Sequence, residues 1–200
     1  MKALLTTLAA KSSDFAVWEK DILTLVDECR ANQVPCITSA TREVLIDYIN
    51  QYKPRTYLEI GSARWVSLFT AHQQIVQRWG TVTGIERSLP NVERVQQMIQ
   101  DHQLTDIAIH HINANHPWWE QAIITKPIDF ALIDARKSKY HIYLQTILPY
   151  MAQNSIIICD DVIEFEHKLS SLYEFLDQNQ MNYEKLELSD GDWVIVIKLP

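Results

Sequence analysis

TYLEIGSARWVS, running from Thr56 to Ser67, changes its hydrophobic period halfway through, and that change decides the fold. Thr56 to Ile60 has the composition of a short buried strand, whereas Val66, Phe69, Ile75 and Val76 recur at roughly helical spacing. Gly61 lies between them, so the stretch reads as strand, tight turn, helix. A glycine there lets the backbone approach a ligand, and the helix that follows opens with unpaired N–H donors. Any βα unit can use such a glycine. The turn gains weight from two segments downstream, IDARKSKY at residues 133–140 and ICDD at residues 158–161.

Outward from the turn, strands and helices alternate as in βαβ units. Strands are expected at residues 81–86, 107–112, 128–134 and 155–160, with helices at 91–102, around 118–124, 139–151 and 165–179. The end of the chain differs in kind. Residues 183–188 and 193–199 are β-rich runs joined by SDGD, and Asp190-Gly191 marks a hairpin turn. The expected fold is therefore α/β: a seven-stranded, mostly parallel sheet with an antiparallel C-terminal hairpin strand and helices on both faces. Upstream, two helices are expected within residues 3–31, broken near 12–14, followed by a linker at 32–39. Thr38, Ser39 or Thr41 can cap the next helix, which carries Val44, Leu45, Tyr48 and Ile49 inward and stops at Lys53-Pro54. One domain is expected over residues 1–200, with 1–50 as a helical extension and 55–200 as the core.

Composition narrows the partners. Apolar residues at 47% and charged residues at 22% are ordinary for a globular chain. A net charge of −7 makes nucleic acid an unfavoured partner, since phosphate binding rests on clustered Lys and Arg. Cys29, Cys36 and Cys159 lack C-x-x-C spacing and read as reduced thiols in a cytoplasmic protein. No apolar run approaches the ~18 residues of a membrane span.

In such sheets, ligands bind beyond the carboxyl ends of the strands. The residues expected there are Glu59 and Gly61, Glu86, Asn113, Asp134, and Asp160 with Asp161. Glu86 stands at the distance from the glycine turn where a carboxylate accepts hydrogen bonds from a ribose diol, though a solvated strand end gives the same pattern. Asp134, Asp160 and Asp161 offer hard oxygen ligands suited to Mg²⁺ or Ca²⁺; alternatively one caps a helix and another faces water. Lys137 is placed to act as a general base if its pKa is lowered. Tyr140 and Tyr143 read as packing residues, and Trp118-Trp119 as an anchor for a short helix. No G-x-S-x-G or G-x-x-x-x-G-K-[ST] motif is present, and only the first glycine of G-x-G-x-x-G.

From about Val34 onward the pattern resembles the cation-dependent class I O-methyltransferases of the catechol and caffeoyl-CoA type, which have a Rossmann-like fold. Their E-[IL]-G-x-x-x-G-Y-S motif is matched by EIGSARWVS through Glu59, Gly61 and Ser67, with Trp65 in place of the second glycine. Their D-A-x-K-x-x-Y motif is complete as Asp134, Ala135, Lys137 and Tyr140, and their Asp-Asn pair corresponds to Asp160-Asp161. Asn113-Ala114 stands for their G-D-A. The resemblance implies S-adenosylmethionine across Glu59, Gly61, Ser67, Glu86, Asn113, Ala114 and Asp134. It further implies a divalent cation on Asp134, Asp160 and Asp161, Lys137 as the base, a small hydroxylated substrate and a homodimer. Two alternatives stand beside it: a non-catalytic binding or interaction module, because an indole at position 65 could crowd the turn and the segment after Asp161 is short, and an RNA hydroxy-base methyltransferase.

Overall fold

Strands form where their composition predicts them. The computed structural model describes residues 20, 22–29, 31, 36–63, 65–162 and 166–200. The expected first helix and its break, most of the linker, and the expected helix start at Phe165 lie outside the described residues. Residues 22–29 are helical. Helix α1 (Ser39–Tyr52) leads into strand β1 (Thr56–Ile60), then come α2 (Val66–Ile75), β2 (Thr81–Glu86), α3 (Leu89–Asp101) and β3 (Ile107–His111). The short α4 (Trp119–Ile123) precedes β4 (Ile128–Ile133), α5 (Tyr140–Ile147), β5 (Met151–Cys159), α6 (Ser170–Gln178) and the hairpin β6 (Tyr183–Glu187) and β7 (Trp193–Lys198).

The ends of these elements follow local chemistry. The Thr38 side chain accepts the Thr41 backbone N–H at the start of α1, and Lys53 closes the helix in a left-handed conformation at φ 51° just before Pro54. Helix α3 begins earlier than expected because Pro90 fits its first turn. Helix α5 is shorter than expected and tightens into a 3₁₀ turn at Leu148–Tyr150. Strand β5 instead begins early, at Met151, through a pairing with Ile128 that is followed by a register shift between Ile128 and Phe130.

The seven strands lie in the order β3-β2-β1-β4-β5-β7-β6. Strands β1 to β5 pair in parallel, and β7 runs antiparallel to both β5 and β6. The order reverses between β1 and β4, which makes their carboxyl ends the topological switch point. One face packs Tyr57, Phe130, Leu132 and Ile158 against α1, α2, α3 and the buried Ile22, Leu25 and Cys29. The other packs Leu58, Ile60, Ile133 and Ile157 against α5 and α6. Both faces are covered, as a parallel sheet requires.

Register then sets the site. Ile60 is level with Ile85 and with Ile133, and Ile133 is level with Cys159. The next row therefore contains Glu86, Gly61, Asp134 and Asp160. Because side chains alternate, the acids of that row share the α1–α2 side with Glu59, two residues earlier on β1.

Candidate active site

Gly61 has a φ of +92°, and a Cβ there would collide with the Asp134 carbonyl oxygen and come 2.8 Å from Ala135 Cβ. The chain's own backbone at the end of β4 therefore demands this glycine. Ala63 and Trp65 complete the turn at φ 35° and 73°. Trp65 is the N-cap of α2 and, at 1% exposure, belongs to the core on the α1–α2 face, edge-on to Phe69 at 6.4 Å. Among the described residues, its buried Nε1 has no hydrogen-bond partner.

Glu59 is 0% exposed. Tyr57 and Ser67 donate their hydroxyls to it at 2.7 and 2.9 Å. Burial pushes its pKa up to about 7, with those two hydrogen bonds partly offsetting the rise. Both partners of this network face inward, so Glu59 and Ser67 hold β1 to α2. Glu86, 8% exposed, ends β2 one row further along the sheet. Its carboxylate accepts the Ala63 N–H at 3.1 Å and the Ser88 N–H at 2.7 Å, tying the glycine turn to the entry of α3. Each oxygen retains a lone pair for a further donor.

Asn113 folds its side chain back onto the backbone and side-chain nitrogens of Asn115, at 3.1 and 2.9 Å. Ala114 packs toward the second core. Of the two neighbouring indoles only Trp119 anchors α4; Trp118 is 72% exposed. Tyr140 and Tyr143 are buried packing residues, as expected, and the Tyr140 hydroxyl donates to the Asp160 backbone carbonyl at 3.1 Å.

Lys137 lies between the acids. Its Nζ is 2.7 Å from Asp134 Oδ1 and 2.9 Å from Asp161 Oδ2, with the Tyr140 ring centroid 5.3 Å away. Burial works against its charge, but the two carboxylates outweigh burial and push its pKa up to about 12. The lowering that would make it a general base is thus reversed. Asp134 shows the complementary balance: burial raises its pKa and Lys137 pulls it back.

Asp160 is 1% exposed and accepts the Thr41 hydroxyl at 3.2 Å from the first turn of α1. Burial, then Asp134 and Asp161, push its pKa well above the usual carboxylate range. The three carboxylates whose oxygens lie within 4.8 Å of one another are Asp160, Asp161 and Asp192. Asp192 belongs to the β6–β7 turn and also accepts the Trp193 N–H at 2.7 Å. Sequence reading missed it: SDGD signalled a turn, but not that the turn would return to the end of β5. The donor chemistry of this trio suits a hard cation. Among the described residues, the expected set does not converge in this way, since Asp134 reaches Asp161 through Lys137.

A cavity of about 300 Å³ lies elsewhere, near the amino ends of β1, β2 and β3, lined in part by Thr56, Thr81, Asp106 and Lys126. Among the described residues, no helix is long and apolar enough to cross a membrane.

No family model matches the chain. Solved structures do. A candidate caffeoyl-CoA O-methyltransferase from Staphylococcus aureus is 19% identical, with 95% of this chain and 99% of that one covered at a TM-score of 0.75. An O-methyltransferase from Bacillus cereus in complex with SAH is 18% identical, with 90% of each chain covered and a TM-score of 0.74. Podospora anserina methyltransferase PaMTH1, bound to SAH, is 16% identical, with 97% and 96% covered and a TM-score of 0.75. These likenesses are of fold: the chain has the Rossmann-like class I methyltransferase architecture that its motifs predict.

Proposed function

We propose that this chain is a divergent S-adenosylmethionine-dependent methyltransferase of the caffeoyl-CoA O-methyltransferase type, acting on a hydroxyl of a small molecule. The observation that carries this reading is the row of Glu86, Gly61, Asp134 and Asp160 at the switch point. The binding of SAH by solved proteins of the same fold supports it.

When bound, S-adenosylmethionine supplies a sulfonium methyl group as the electrophile. Glu86 fits its ribose, because both carboxylate oxygens are fixed by backbone donors yet keep acceptor capacity at the end of β2. The backbone of Gly61 and the Asn113-Ala114 turn are the remaining surfaces for it. Glu59 and Ser67 act from beneath, as positioning residues that hold the start of α2.

Lys137 enters as a charged donor to the acceptor oxygen. With cofactor and substrate bound, Asp134, whose proton affinity burial raises against the pull of Lys137, would take the hydroxyl proton. A rigid strand-end arrangement contributes mainly through alignment and charge stabilisation.

Calorimetry with S-adenosylmethionine and its demethylated product tests the reading. Saturable heat, lost in Glu86→Ala, is expected. An absence of heat at high ligand concentration would favour the second reading, a methyltransferase fold kept as a binding or interaction module. One observation favours that alternative: Ser67 and Glu59 already satisfy each other within the core.

A further inference from the structure

The motif resemblance calls for a divalent ion on Asp134, Asp160 and Asp161, and another positive charge already lies among these acids. The ammonium of Lys137 fills the gap between Asp134 and Asp161, at 2.7 and 2.9 Å from their carboxylate oxygens. We propose that Lys137 is itself the cation of this site, a tethered ammonium standing where the resemblance puts a divalent ion. This inference rests on reading the strand-end acids as the active site, and it concerns which charge balances them.

Three features hold the ammonium there. The 3₁₀ turn Lys137–Lys139 starts three residues after Asp134, so the side chain is delivered to that carboxylate at high effective concentration. The Tyr140 ring, 5.3 Å from Nζ, supports it from the following residues. Lys137 is 9% exposed, so solvent takes little part in balancing its charge. A divalent ion arriving from solution would have to displace it and leave a buried ammonium without its counter-charges, a costly exchange. The acids of the neighbouring trio are also partly committed: Asp160 to Thr41, Asp161 to Lys137, and Asp192 to the Trp193 N–H.

Manganese provides the test, because free Mn²⁺ is read directly by electron paramagnetic resonance whether or not methyl transfer occurs. The full chain is expected to show no Mn²⁺ binding that Asp134→Asn changes, and its melting temperature should be the same in Mg²⁺ and in EDTA. Lys137→Ala and Lys137→Met are expected to gain a Mn²⁺ site at least about tenfold tighter than any in the parent, and to lose it again when Asp134→Asn is added. Lys137→Arg, which keeps the charge, should remain metal-free. Stoichiometric Mn²⁺ binding by the parent chain as tight as that of the variants would overturn the proposal, as would folded Lys137 variants that acquire no site. Should the neutral variants fail to fold, the parent measurement and Lys137→Arg still decide. Calorimetry with S-adenosylmethionine on the same parent sample reports on the proposed activity separately.

Discussion

At the level of single residues, two positions carry opposing effects that can be weighed. Trp65 adopts φ 73°, a conformation that costs a side chain roughly 1–2 kcal/mol, and it buries its indole almost completely. Truncating a buried tryptophan costs about 3–5 kcal/mol, so packing wins. Trp65→Gly, which restores the second glycine of the resemblance, is expected to lower stability by roughly 2–4 kcal/mol in denaturant titrations. Stabilisation instead would show that the indole is strained and poorly packed. Glu59 has a pH signature. Its pKa is about 7 in the fold against an ordinary 4.5, so between those values the folded chain holds a proton that the unfolded chain has lost. Stability is therefore fully present below about pH 4.5, declines as pH rises toward about 7, and levels off above it. The part of the slope due to Glu59 amounts to roughly 3 kcal/mol and should vanish in Glu59→Gln; an unchanged profile would mean that Glu59 stays solvated.

Among the elements, α1 links the two ends of the site. Thr38 caps it by accepting the Thr41 N–H at 3.1 Å, and its side chain also favours the charged form of Asp190 in the hairpin turn. Thr41 then donates to the buried Asp160. Thr38→Ala is expected to cost about 1 kcal/mol through the cap. Thr41→Val should cost about 1–3 kcal/mol by leaving the Asp160 carboxyl without that partner. A thermal melt that ranks them the other way would mean that the cap matters more than the acid. The same elements mark what could be read beforehand. The period change at Gly61 and the Asp190-Gly191 turn were legible because each is local, so the strand order and hairpin followed. The start of β5 was not legible, because residues 152–154 break the apolar pattern and the strand is extended by partners distant in sequence, Ile128 opposite Met151 and the Pro200 carbonyl accepting the Asn154 N–H. Nor were Asp192 and the charge on Lys137 legible. Asp192 depends on β5 and β7 pairing Cys159 with Ile195, and the second carboxylate beside Lys137, Asp161, on β4 and β5 pairing Ile133 with Cys159.

On the scale of the molecule, the switch point divides the sheet into a β1–β2–β3 half that carries Gly61 and Glu86 and a β4–β5–β7 half that carries Asp134, Asp160 and Asp192. Gly61 is a close backbone join between them, because its missing side chain lets β1 meet the end of β4. Gly61→Ala would force these halves apart, costing several kcal/mol and the site together, on the order of 3 kcal/mol or more. A ligand resting on Glu86 and the Gly61 backbone would instead clamp the halves. Ligand present at about a hundred times its dissociation constant adds about 2.7 kcal/mol to folding stability. For a domain of this size each kcal/mol raises the melting temperature by roughly 2–4 °C. S-adenosylmethionine at that excess is therefore expected to raise the melting temperature by roughly 5–10 °C, equally in Mg²⁺ and in EDTA. Glu86→Ala should abolish the shift, and should lower the unliganded melt as well, because the Ala63 and Ser88 N–H groups lose their acceptor. A shift that persists in Glu86→Ala would move the binding site off this row, and a shift that requires Mg²⁺ would return a divalent ion to the acids that Lys137 bridges.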